Sequence, residues 1–132
     1  MARRSAARTA LPPAAPQTPA RPERWQLDAG EADIATLDIP AVLARTRRFH
    51  IDVQFVVQCP AEPRGAWHAL TLELDGRRQW SRQIDTSNPG QTDTLDYHVQ
   101  VEVPAGRGLR VRALTQVRGA VRRRLRIEAE EQ

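Results

Sequence analysis

The chain has 132 residues, enough for one domain whose core buries sufficient surface to fold unaided, and no second domain is needed. Its net charge is only +4, from 20 cationic and 16 acidic residues, and every cation is an arginine, so the distribution of the arginines matters more than their total. No stretch approaches the length of a membrane span, and a single cysteine, Cys59, excludes an intrachain disulfide and lends no support to an oxidising compartment. A cytoplasmic protein with no membrane association is the expectation.

Residues 1–24 hold five prolines (Pro12, Pro13, Pro16, Pro19 and Pro22) among alanines and scattered arginines. Such a segment cannot bury enough apolar surface to offset its ordering entropy, so it is expected to be a disordered basic tail ahead of a folded domain at 25–132. The basic start lacks the apolar run of a signal peptide, and Arg3-Arg4 has no hydrophobic segment behind it.

Between Trp25 and Ala44 the pattern is mixed, with Leu27, Ile34, Leu37, Ile39, Val42 and Leu43 as core candidates. Asp33 to Ile39 is expected to be the first strand, ended by Pro40, with one helical turn at Ala41 to Arg45. Arg48 to Gln58 is the longest alternating run, placing Phe49, Ile51, Val53, Phe55 and Val57 on one face, as in a central strand. The following CPAEPRG segment reads as a loop. Trp67 to Leu74 and Arg77 to Ile84 then flank Asp75-Gly76, a hairpin signal with two registers. A two-residue turn sets Leu72 against Gln79 and Trp80 against Thr71, leaving Trp67 and Trp80 on one outer face as a carbohydrate or partner surface. A three-residue loop sets Leu70 against Trp80 and Leu72 against Arg78, which puts Trp80 in the core; burial of so large an aromatic favours it.

The stretch from Leu95 to Glu128 contains three more alternating runs, and between Pro104 and Ile127 it has eight arginines and no carboxylate. A hairpin with Arg118, Gly119 and Ala120 as its loop pairs Val117 with Val121, Ala113 with Leu125 and Val111 with Ile127, so that every apolar residue meets another. The outer face of that ribbon would carry Arg110, Arg112, Arg122, Arg124 and Arg126. Arg112 would stand opposite Arg126, a repulsion that an intervening anion relieves.

About seven strands with regular turn signals and no strong amphipathic helix predict an all-β chain folded as an antiparallel β-sandwich. Across residues 32–128 the strand rhythm resembles immunoglobulin-like and fibronectin type III-like sandwiches, although the cysteine pair of true immunoglobulin domains is missing. A jelly roll is the alternative. The resemblance is one of strand spacing, so it carries no functional residue with it.

The sequence holds no glycine-rich phosphate loop, paired-cysteine metal knuckle or HExxH motif. His50 with Asp52, and Asp96 with His98, are pairs at strand spacing on polar faces, and would converge as weak metal-ligand candidates if their strands were neighbours. No cofactor and no enzymatic activity are expected. The favoured function is a non-catalytic protein-interaction or assembly module, with a protein partner or a second copy docking on a sheet edge or loop. Nucleic-acid or other polyanion binding through the arginine ribbon is the first alternative and carbohydrate binding through exposed tryptophans the second.

Overall fold

The computed structural model describes residues 21–132, in which the alternating runs become eight β-strands. These are β1 (Arg24–Asp28), β2 (Ile34–Ile39), β3 (Arg47–Gln58), β4 (Trp67–Leu74), β5 (Arg77–Asp85), β6 (Thr92–Val103), β7 (Leu109–Arg118) and β8 (Val121–Glu131). Residues 1–20 of the expected tail lie outside the described residues, whereas Arg24 opens β1. One strand therefore precedes the first one expected. The helical turn expected at Ala41 to Arg45 is instead an irregular bend, and the Val42 carbonyl accepts the Gly106 N–H across the end of the sandwich. Among the described residues, no helix is long and apolar enough to cross a membrane.

Two four-stranded antiparallel sheets, ordered β1-β8-β3-β6 and β2-β7-β4-β5, form an antiparallel β-sandwich. Only β4 and β5 make a hairpin; every other consecutive pair of strands lies in opposite sheets. The core forms around β3, where Phe49, Ile51, Val53, Phe55 and Val57 are completely enclosed. Leu70, Leu72, Val111 and Ala113 line the opposing sheet, while Leu125, Ile127 and Ala129 extend the inner face beside β3.

The hairpin expected at Arg118-Gly119-Ala120 does not form, because β7 and β8 belong to different sheets. Val117 pairs with His68 of β4, and Val121 with Gln58 of β3. An arch between facing sheets keeps both apolar sets inward as well as a hairpin does, so alternation alone does not distinguish them. The arch turns at Gly119, whose φ of 74° suits glycine, and tucks Ala120 into the core.

At the β4–β5 hairpin, neither expected register survives intact. Asp75 and Gly76 both have positive φ, as a tight two-residue hairpin turn requires, so Leu74 pairs with Arg77 and Glu73 with Arg78. A bulge then skips Gln79 and brings Trp80 opposite Leu72. Trp80 reaches the core side, as the burial argument demanded, but the extra residue sits in the strand rather than in the loop.

Beyond the apolar core, one end of the sandwich is held by an ion network that joins both ends of the described chain. The Arg47 side chain is fully enclosed and donates to Glu23 Oε1 at 2.7 Å and to the carbonyls of Pro40 and Arg107. Arg45 bridges Glu23 and Glu131, and the Glu23 N–H donates to Glu131 Oε1 at 3.0 Å. The Arg45 guanidinium, with the Glu23 backbone N–H, holds the Glu131 carboxyl below its usual range. At the same level the Arg47 guanidinium lies over the Phe49 ring, 5.3 Å from its centroid.

Near the opposite end, His68 is enclosed within the core, its Nδ1 2.7 Å from Thr86 Oγ1 and its ring edge-on to Phe55. Its Nε2 has no hydrogen-bond partner among the described residues. Burial pushes its pKa below the ordinary 6.5, opposed by the Asp93 charge.

Two outcomes follow from these buried groups. Glu23→Ala leaves the Arg47 guanidinium enclosed without its counter-charge and should lower stability by about 3 kcal/mol; adding Arg47→Met should recover part of that loss, both read from urea unfolding midpoints. For His68, the unfolded chain takes up a proton below pH 6.5 while the folded chain resists it. Stability should therefore hold above about pH 6.5 and decline as pH falls below it, and His68→Gln should abolish that decline. The Glu131 contribution is distinguishable because it is present above about pH 4.5 and is lost only as pH falls further.

Candidate functional site

The five arginines expected on one ribbon divide between opposite faces of the sandwich. Arg110 and Arg112 project from β7 on the outside of one sheet, and Arg124 and Arg126 from β8 on the outside of the other. Each has a carboxylate partner: Arg110 Nε lies 2.8 Å from Asp38 Oδ1, Arg112 Nη1 3.9 Å from Glu73, Arg124 Nε 3.1 Å from Asp28, and Arg126 Nη1 3.7 Å from Glu128. The Arg110 hydrogen bond lowers the Asp38 pKa, and the Gly30 backbone N–H, ahead of Arg124, lowers that of Asp28. Arg122 departs from the outer face altogether. A bulge opposite Val56 and Val57 places Arg122 across from core residue Val57, and its guanidinium reaches the other sheet to donate to Thr115 Oγ1 and to the Thr115 carbonyl. Arg112 and Arg126 are thus not opposite each other; Arg112 pairs with Thr36 and Glu73, and Arg126 with Asp28 and Gln54.

Arg110 and Arg112 line an open cleft of about 800 Å³ at one end of their sheet, shared with Asp38, Glu73 and Asp75. The two cations here stand among three carboxylates. Gly108 forms the floor beside Ile39, where a Cβ would come within 2.6 Å of the Ile39 carbonyl oxygen.

Trp67 and Trp80 do not share a surface. Trp67 alternates with the core residues His68 and Leu70 and lies half-buried on the outer face, whereas Trp80 packs against the core from β5. The Trp80 ring stacks on Tyr97 of β6 with centroids 4.3 Å apart and planes 10° from parallel. This stack closes the seam between the two sheets along one side of the sandwich.

The two His/Asp pairs do lie on neighbouring strands. Asp52 is directly opposite His98, His50 is opposite Gln100 and Asp96 opposite Gln54, while the His50 and His98 rings approach to 5.5 Å between centroids. Among the described residues, however, no three or more histidine, cysteine, aspartate or glutamate side chains are grouped to hold a metal ion.

What the topology adds is the identity of the sheet edges, which are β1 and β6 in one sheet and β2 and β5 in the other. An edge exposes a row of unpaired N–H and C=O groups, and folds ordinarily blunt it by shortness, proline, bulges or charge. Three of these edges are blunted. β1 has 5 residues and β2 has 6, with Pro40 immediately after it. β5 is bulged and carries Arg77, Arg78 and Arg82.

β6 is neither short nor bulged, although Asp93, Asp96 and Glu102 stand along it and Pro104 follows it. It runs for 12 residues, pairs with β3 without a register shift, and contains neither proline nor arginine. Its core-facing side presents Tyr97, Val99 and Val101 half-buried between the enclosed Leu95 and Val103. On the other side stand Thr94, Asp96, His98, Gln100 and Glu102. The strand itself was legible from its alternation, but its edge position depends on which strands pair.

No family model matches this sequence and no curated protein resembles it. Among solved structures, the fold is similar to part of dimeric latent PorU from Porphyromonas gingivalis, with a TM-score of 0.52 over 81% of this chain at 10% identity. The match covers 10% of that chain, so this protein spans about a tenth of its length. At this identity the likeness is one of fold, and it agrees with the β-sandwich described above.

Proposed function

We propose that this domain is a non-catalytic protein-interaction or assembly module that takes an extended partner strand on the free edge of β6. The observation that carries this reading is the contrast among the four edges: β1 and β2 are short, β5 is bulged and lined by arginine, and β6 alone is both long and regular. An added strand would satisfy the outward backbone groups of β6, giving affinity without dependence on sequence. Its alternate side chains would cover the half-buried row Tyr97, Val99 and Val101, giving preference for a partner with apolar residues at every second position. The Trp80–Tyr97 stack supports the same role by bracing the edge from the neighbouring sheet. Polyanion binding has less support, since the arginines divide between two faces and four of them stand beside carboxylates.

A displayed library of random peptides as long as β6 provides the test, with the site of each selected peptide mapped by backbone amide chemical shifts. The selected peptides should alternate apolar and polar residues and perturb Thr94 to Val101. Val99→Lys, which sets an inward-pointing charge at the edge, should weaken them by about tenfold or more while leaving the fold intact. Peptides that map to another surface, or that bind Val99→Lys equally well, would sink the β6 assignment.

A further inference from the structure

We infer that the strand which docks on β6 is β6 of a second copy of this chain, joined antiparallel about a two-fold axis. This inference rests on the edge-docking reading above and names its partner. A two-fold axis passing through a strand edge pairs the strand with itself in antiparallel fashion, and the same patch then serves both copies. Residues directly opposite must share a face, which restricts the centre of pairing to a residue rather than the gap between two residues.

Among those centres Gln100 also offers opposite charges, His98 against Glu102, but there the two strands overlap only over residues 97–103, whereas centring on Tyr97 overlaps residues 92–102 and is selected. With Tyr97 opposite its own copy, Leu95 meets Val99 on the core side, while on the outer side Asp96 meets His98 and Thr94 meets Gln100. Each pair occurs twice, so the seven residues Thr94 to Gln100 form an uninterrupted ladder with apolar groups against apolar groups. The Asp96 carboxylate accepts from the His98 imidazole of the other copy at both ends of the centre. Centring on Asp96 sets two aspartates face to face, and centring on Val99 sets Asp96 against Glu102. Centring on His98 avoids a clash of carboxylates but places His98 against itself and forfeits both Asp–His pairs.

The charge pattern of the neighbouring edge confines the junction to one sheet. β5 lies on the same side of the sandwich, as its Trp80 contact with Tyr97 shows, and it carries Arg77, Arg78 and Arg82 along a bulged strand. Those arginines repel their counterparts, so the two β5 edges stay unpaired while β6 continues the other sheet into its copy. The product is one continuous sheet ordered β1-β8-β3-β6 followed by β6-β3-β8-β1 of the second copy.

Sedimentation equilibrium of the full chain in the high micromolar range tests this. The native protein should sediment at twice the chain mass. His98→Asp places two carboxylates opposite one another at both outer pairs and should raise the dissociation constant about tenfold or more. The exchanged double variant Asp96→His/His98→Asp restores opposite pairs across the axis and should recover the dimer. Both variants carry the same new aspartate beside Asp52 of their own chain, so recovery reports pairing between copies rather than stability within one. A native monomer, a dimer indifferent to His98→Asp, or an exchange that fails to recover would each overturn the inference. A monomer whose β6 still selects alternating peptides would leave the edge-docking function standing, whereas a monomer that selects none would remove both.

Discussion

The dry face of β3 is the constraint on which the rest of the structure depends. Five consecutive core-facing side chains of this strand, from Phe49 to Val57, are fully enclosed, and each has partners on both sides because β3 lies between β6 and β8. At roughly 25 cal/mol per Å² of apolar surface, no other strand contributes so continuous a stripe. The opposing sheet is positioned by what that stripe must cover, and Leu70, Leu72 and Val111 meet that demand. The arches that carry the chain from sheet to sheet are consequences of the same demand, since each successive strand turns its apolar face toward the shared interior.

Charge is arranged around that interior in two ways. On the outer faces of β7 and β8, arginines stand singly beside carboxylates in exposed pairs whose net effect on stability is small. At one end of the sandwich the arrangement differs. There Arg47 is enclosed, and Glu23, Arg45 and Glu131 are gathered around it from segments far apart in the chain. Removing one member of such a group is costly because the remaining charge has lost its water as well as its partner. The network therefore closes the sandwich by holding β1, the approach to β3 and the end of β8 in fixed relation.

The same sheet that is secured at its β1 side is left open at β6. Strand edges are the places where a β-sandwich can add to itself without altering its core, and the devices that prevent such addition are present on β1, β2 and β5. β6 is neither short nor bulged, and the docking proposed for this edge rests on that difference. Tyr97 of that edge stacks on Trp80 of the facing sheet, an ordered contact that would lower the entropic cost of adding a strand.

Alternation in the sequence was sufficient for the strands from β2 onward, for the core residues of β3, and for the β-sandwich class, because the period of two reports directly which side of a strand faces apolar surroundings. It was equally blind to which strand lies alongside. The runs that became β7 and β8 would have matched each other apolar to apolar in a hairpin, and match just as well across an arch. Only the packing of two sheets decided between them. Bulges were hidden for the same reason: the extra residue at Gln79, and the shift that turns Arg122 inward to Thr115, are set by partners on other strands. The Glu23–Arg47–Arg45–Glu131 network and the edge position of β6 belong to this second kind of information. A local pattern determines the face that a residue turns toward the core, whereas the neighbour beyond it is chosen by the whole chain.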